Sequence, residues 1–536
     1  MQYCSAIYLA VFLPITLLVY ALTAKKKRWL VLLIVSYIFF LSLSGKLIVY
    51  LLFSTLSIHH FGLWIDKFNK NRDKELEKCS KEQKKEIKEA YKKKTNMIVL
   101  FAVLIHIGLL VILKYTGFFG ENINNLLALF NTDFRFKIPK MCIPIGISFY
   151  TLQGLSYIID VYKGKINADD NLGRLALFMA FFPCIMEGPI CRYSDTAEKL
   201  YEGKSLTYKN LSFGVQRILW GLMKKMVVAD RLNPFIEKIF FEYNSLNGGV
   251  ILIGAIFYTV QLYMDFSGTI DIVLGSAEMF GITLSENFKQ PFFSKNISDF
   301  WTRWHITLGT WFRDYIFYPV SLSRPMKKVT LVSRKVLGNH YGPLLAGSIA
   351  LFLVWISNGL WHGAAWTYVF FGMYHFVLIV LGNVFTPLIQ KICSKIHVNR
   401  SSKPYVMMQV LKTTILVIFG ELFFRANTLS GGLEMFKKIF TDFSLSSIKN
   451  GSLFKLGCDR SDFLIIGFVL IIILVTSILK EKDINIRESV AKMNICFRWT
   501  LYYALILIII IFGAYGSGNA KGTDCKKRGG FSPGIF

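Results

Sequence analysis

Residues 464–479 and 501–512 carry no charged side chain. A surface helix needs a polar face opposite its apolar stripe, and these blocks are too long and unbroken to be one. Crossing the bilayer hydrocarbon takes about 20 mostly apolar residues, and backbone inside hydrocarbon must satisfy its own hydrogen bonds, which favours helices. Similar blocks recur along all 536 residues, 53% of which are hydrophobic. The expectation is an all-α polytopic membrane protein with roughly 11–13 membrane segments, re-entrant helices included.

In a soluble protein the formal charge of +28 would suggest nucleic acid. Here the lysines and arginines cluster in alternate loops, as the positive-inside rule requires, so membrane lipid is expected around the chain and no nucleic-acid partner. The nine cysteines form no CxxC pair, and no metal site is expected. No Walker A, HExxH, GxGxxG or GxSxG pattern occurs, which disfavours an ATPase, a zincin, a dinucleotide enzyme and a built-in serine esterase.

The first apolar run, 5–23, precedes its basic cluster, Lys25-Lys26-Lys27-Arg28. That order predicts a span with the N-terminus outside, not a cleaved leader. Segment 67–94 holds twelve Lys/Arg and six Asp/Glu, and its i,i+4 pairs predict a solvated cytoplasmic helix. The chain divides into N-terminal spans (1–140), a central core (141–427), C-terminal spans (428–516) and a basic tail (517–536).

The core has a polar interior. Helix breakers and hydroxyls punctuate 144–154. Residues 181–190 place Glu187 between Met186 and Gly188, and 258–267 carries Gln261, Tyr263, Asp265 and Ser267. All three read as broken or re-entrant segments lining a protein-enclosed cavity. For Glu187 and Asp265, buried hydrogen bonding outranks catalysis. Residues 286–323 read as interfacial or re-entrant helices, with Arg303, Arg313 and Asp314 in internal ion pairs.

Within that core, two histidines each follow a tryptophan: Trp304-His305 and Trp361-His362. A neutral imidazole at membrane depth costs free energy without a partner. Histidine is also the side chain best suited to general-base work near neutral pH. Such a base can deprotonate a hydroxyl for attack on an acyl carbonyl. Trp361 and Trp366 would wall the site, and Gly359 and Gly363 would let backbone approach a substrate. A satisfied core histidine and a packed ion-pair network remain the bland alternatives. His375 reads as a neighbour. Loop charges put His305 toward the cytoplasm and His362 toward the outer half of the membrane. A transporter or flippase would share the broken helices and polar interior.

At these residues the chain resembles the membrane-bound O-acyltransferases, and more narrowly the bacterial branch of alginate O-acetyltransferases and the D-alanyl transfer protein of teichoic acid synthesis. The resemblance rests on 144–164, 181–193, 261–272 and 287–366, with Glu421-Leu422-Phe423-Phe424-Arg425-Ala426-Asn427 in agreement. It implies a multi-span core around a channel and acyl transfer from a cytoplasmic thioester to a hydroxyl. By position His362 matches the catalytic histidine and His305 the second polar position. Asn358, Trp361, Trp304, Asp265, Glu187 and Gln261 are candidate channel residues. The implied donor is acetyl-CoA or an acylated carrier-protein phosphopantetheine. The acceptor would be an envelope polysaccharide or teichoic acid, and an extracytoplasmic SGNH-hydrolase-like partner would finish the transfer. The basic run after Tyr515-Gly516 departs from the aromatic, mildly acidic end usual in this branch.

Overall fold

The computed structural model describes residues 2–132 and 134–515; the basic tail lies outside them. It is 79% helical, with no strand among the described residues. Eight helical stretches there are long and apolar enough to cross a membrane, and Tyr8–Leu22 is a shorter apolar one. Their outer faces carry large apolar side chains, such as Leu22 and Leu464 at 80% and 75% exposure. A protein solvated by lipid tails has no reason to hide them.

Two compact units divide the described chain. The first comprises the residues up to Val215 together with Val273–Ser285; the second comprises Gln216–Ile272 and the chain from Glu286. In the first unit, helices Ile48–Lys78 and Ile147–Tyr162 approach at Gly154, where a Cβ would fall 1.9 Å from Ile58 Cδ1. The charged segment 67–94 is not one helix. Ile48–Lys78 runs into it, the chain turns, and Gln83–Leu129 leaves it, with Tyr91 Oη donating to Glu75 Oε1 at 2.6 Å across the hairpin. Ser80 supplies the break: its carbonyl accepts from Lys84 N, and its own N–H donates to Gln83 Oε1.

The irregular segment around Glu187 is present as expected, as turns between helices Leu172–Ala180 and Tyr193–Tyr201. Its backbone is served by side chains. Tyr3 Oη donates to the Phe182 carbonyl at 2.7 Å, and Phe182 N–H donates to Ser36 Oγ at 3.0 Å. Gly146, at φ 74°, lets this segment pass: a Cβ there would sit 1.9 Å from the Ile185 carbonyl oxygen.

Residues 258–267 correct the reading of a broken helix. Gly248–Met279 is continuous. Gly268 does not interrupt it, because it serves as a contact point: a Cβ would lie 2.8 Å from the Gly221 carbonyl oxygen.

In the second unit, Arg324–His362 and Trp366–Lys395 form a helical hairpin. Residues 286–323 fold as short helical pieces, including Ile297–Arg303 and Ile306–Phe312. Arg303 pairs with Asp299 at 3.0 Å and with Glu481 at 2.9 Å, while Arg313 pairs with Asp314 nearer the surface.

Candidate active site

His305 joins two short helices in a left-handed conformation, φ 46° and ψ 51°. For a non-glycine residue this costs about 1–2 kcal/mol and needs support from its surroundings. Two backbone hydrogen bonds, flanking one bridge pair, provide it. Ile306 N–H donates to the Asn287 carbonyl at 3.0 Å and Lys289 N–H to the Arg303 carbonyl at 2.9 Å. Phe288 and Trp304 form an antiparallel bridge between them. The loop 287–289 thus clamps the chain on both sides of the imidazole.

Asn287 also fixes the tautomer. Its Oδ1 accepts from Thr307 N–H at 3.1 Å and from Thr307 Oγ1 at 2.9 Å, and stands 3.2 Å from His305 Nδ1. A backbone N–H can only donate, so the amide must present its oxygen there. Nδ1 facing that oxygen therefore carries the proton, and Nε2 keeps its lone pair. Burial pushes the imidazole down to about 3, so the ring is neutral.

His362 ends the helix Arg324–His362. Trp361 is buried and touches both imidazoles, with ring centroids 5.6 Å from His305 and 5.0 Å from His362. The two histidines assigned to opposite sides of the membrane are separated by a single indole. His362 also packs edge to face on Phe424 at 5.1 Å. Asn358, one turn earlier, is buried, and its Oδ1 has no hydrogen-bond partner among the described residues. A buried amide oxygen left without a donor costs about 1–3 kcal/mol.

The glycines act differently from expectation. A Cβ on Gly359 would lie 2.5 Å from the Tyr368 carbonyl oxygen, and one on Gly363 would lie 2.3 Å from the Tyr368 ring. They let the two helices close on each other and so position His362. Trp366, expected as a wall, is 54% exposed.

Trp304 is buried in an aromatic cluster, stacked on Phe300 at 5.5 Å and near Phe288 at 5.1 Å. Asp265 pairs with Lys225 at 2.6 Å. Gln261 donates to Asn233 Oδ1 at 3.0 Å. Both thus have intramolecular partners, whereas Phe266, next to Asp265, meets His305 at 4.8 Å. Glu187 is half-buried in the first unit. His375 is fully buried between Trp301 and Trp355, at 4.9 and 5.5 Å.

Sequence reasoning missed Asn287 as a functional side chain, and nothing local marks it. It also missed Lys224 and Lys225, although two charges inside Met223–Ala229, otherwise apolar, were a visible signal. Lys225 bridges Asp265 and Asp230, and Lys224 pairs with Asp271 at 2.5 Å.

The described residues form a many-span helical protein in which His305 is buried, His362 is half-buried and the Trp361 indole contacts both rings. The MBOAT, membrane-bound O-acyltransferase family, model matches residues 171–334. The probable alginate O-acetylase AlgI of Pseudomonas syringae pv. tomato is 32% identical over 457 residues, covering 84% of this chain and 78% of that protein. The peptidoglycan O-acetyltransferase of Helicobacter pylori is 28% identical over 404 residues, covering 70% and 69%. The teichoic acid D-alanyltransferase of Bacillus subtilis is 32% identical over 286 residues, covering 52% and 68%. The chain belongs to the membrane-bound O-acyltransferase family and is a multi-pass O-acyltransferase.

Proposed function

We propose that the protein moves an acetyl group from a cytoplasmic thioester to a hydroxyl of an extracytoplasmic envelope polysaccharide. The observation that carries this reading is Trp361 in contact with both His305 and His362. His362 acts as general base: it takes the proton as the acceptor oxygen attacks the thioester carbonyl. The C–S bond then breaks, and the proton passes to the departing sulfur. His305, neutral and oriented by Asn287, positions the donor or lines its path. Asn358, Trp361 and Trp304 are the neighbours best placed to line the channel. Asp265 and Gln261 hold the wall through their ion pair and hydrogen bond.

The donor is acetyl-CoA or an acylated carrier-protein phosphopantetheine. Direct transfer and relay through an SGNH-hydrolase-like partner outside the membrane are both compatible with this mechanism. In this reading the protein sits in the cell membrane with its N-terminus outside. D-alanyl transfer to teichoic acid is the second reading, supported by the Bacillus relative. The acetylating relatives match more of this chain, 84% against 52%, and favour acetyl. Mild alkaline release of ester-linked acids from the envelope polymer separates them: acetate supports the first reading, alanine the second, and absence of any protein-dependent ester contradicts both.

A further inference from the structure

Beside the aromatic wall of His305 lies a second polar niche, a cavity of about 60 Å³. Its inner wall is Phe288 and Tyr263, which meet Trp304 at 5.1 and 5.7 Å. Glu286 and Phe288 both line it and flank Asn287, the residue that orients His305.

Three cations and two carboxylates face this space. Arg217 donates from Nε to Asp271 at 3.0 Å and grips Glu286 through its two terminal nitrogens at 2.8 and 2.5 Å. Lys224 pairs with Asp271 at 2.5 Å and donates to Ser267 Oγ at 2.9 Å. Lys480 lines the same space without a hydrogen-bonded ion pair among the described residues, and its charge acts on Asp271 and Lys224. One positive charge is therefore in excess. The Arg217 side chain is 15% exposed, whereas Glu286, which covers its fork, is 58% exposed. A fixed guanidinium capped by a solvent-facing carboxylate is a fork that an incoming phosphate can take over with the same bidentate geometry. The rim leads into the basic stretch 480–498, which the positive-inside rule puts in the cytoplasm.

We propose that this niche receives a phosphate group, and that the phosphate is that of the phosphopantetheine arm of the thioester donor. Glu286 yields Arg217 to the phosphate, Lys480 supplies the unbalanced charge, and the arm runs past Phe288 and Trp304 toward His305. This rests on the thioester-donor reading above. A lipid headgroup offers the same phosphate chemistry, so the test must separate the two.

The test uses full-length protein carrying His362→Ala, in nanodiscs of phosphatidylcholine, so that binding is read without turnover. Affinities for phosphopantetheine and for pantetheine are compared in this background and with Lys480→Glu or Glu286→Gln added. The phosphate should strengthen binding about ten-fold or more. That ratio should collapse in Lys480→Glu, an exposed change that leaves the fold intact, and should rise in Glu286→Gln, which removes the competing carboxylate. Equal ratios in all three proteins, or no preference for the phosphate, would overturn the niche while leaving the role of His362 standing. If, in a parallel set of nanodiscs doped with phosphatidylglycerol, retention of that lipid instead falls in Lys480→Glu with phosphopantetheine binding unchanged, the niche is a lipid site and the donor assignment is wrong.

Discussion

His305 and Trp361 meet edge to face, with ring centroids 5.6 Å apart, and His362 follows Trp361 directly in the chain. One indole thus couples the short helices of 297–312 to the end of a long membrane helix. Trp361→Ala should cost about 3–5 kcal/mol as a buried large-to-small change, and should abolish transfer by freeing both imidazoles. Trp361→Phe should keep most of the stability and part of the activity. Thermal unfolding in detergent, read beside polymer ester content, distinguishes the two effects.

Asn287 holds His305 through an oxygen that also serves Thr307. Asn287→Ala leaves Thr307 N–H buried without that acceptor, a penalty of about 1–3 kcal/mol. Transfer should fall further than folded yield does, because the His305 tautomer is released. If activity simply follows yield, the orienting role of Asn287 is wrong.

Lys225 stands between Asp265 and Asp230. Lys225→Met leaves two carboxylates facing each other in a largely buried site, and should destabilise by about 3–5 kcal/mol. Adding Asp265→Leu should restore part of that loss. A double mutant no more stable than Lys225→Met would show that the two groups do not interact.

Gly359 and Gly347 lie on the same helix with different surroundings. A Cβ on Gly359 meets the Tyr368 carbonyl, whereas one on Gly347 meets nothing within 4 Å. Gly359→Ala should cost roughly 1–3 kcal/mol by overpacking and should displace His362. Gly347→Ala should be neutral or stabilising by up to about 1 kcal/mol. Melting temperatures of the two variants check the contrast.

The helical, many-span character was legible because hydrocarbon leaves the backbone few choices, and blocks such as 464–479 declare it openly. The Trp-His pairs were legible because a histidine among apolar residues has a visible cost. Continuity of Gly248–Met279 was not, since Gln261, Asp265 and Ser267 look like interruptions until their partners, Asn233, Lys225 and Lys224, arrive from another helix. Asn287 was silent for a related reason: its partners, His305 and Thr307, are 18 and 20 residues away. Gly359 and Gly363 suggested open space for a ligand, when the space was already taken by Tyr368. Local sequence shows the burden a residue carries, but not which distant group relieves it.

The central claim is that His362 is the base for acyl transfer. Its most direct test is the ester content of the envelope polymer in cells expressing wild type, His362→Ala or His305→Ala at equal membrane levels. His362→Ala should lose ester by a factor of about 100 or more, the usual scale of general-base catalysis, with His305→Ala impaired as well. Unchanged ester in His362→Ala would remove that histidine from the reaction and contradict the account.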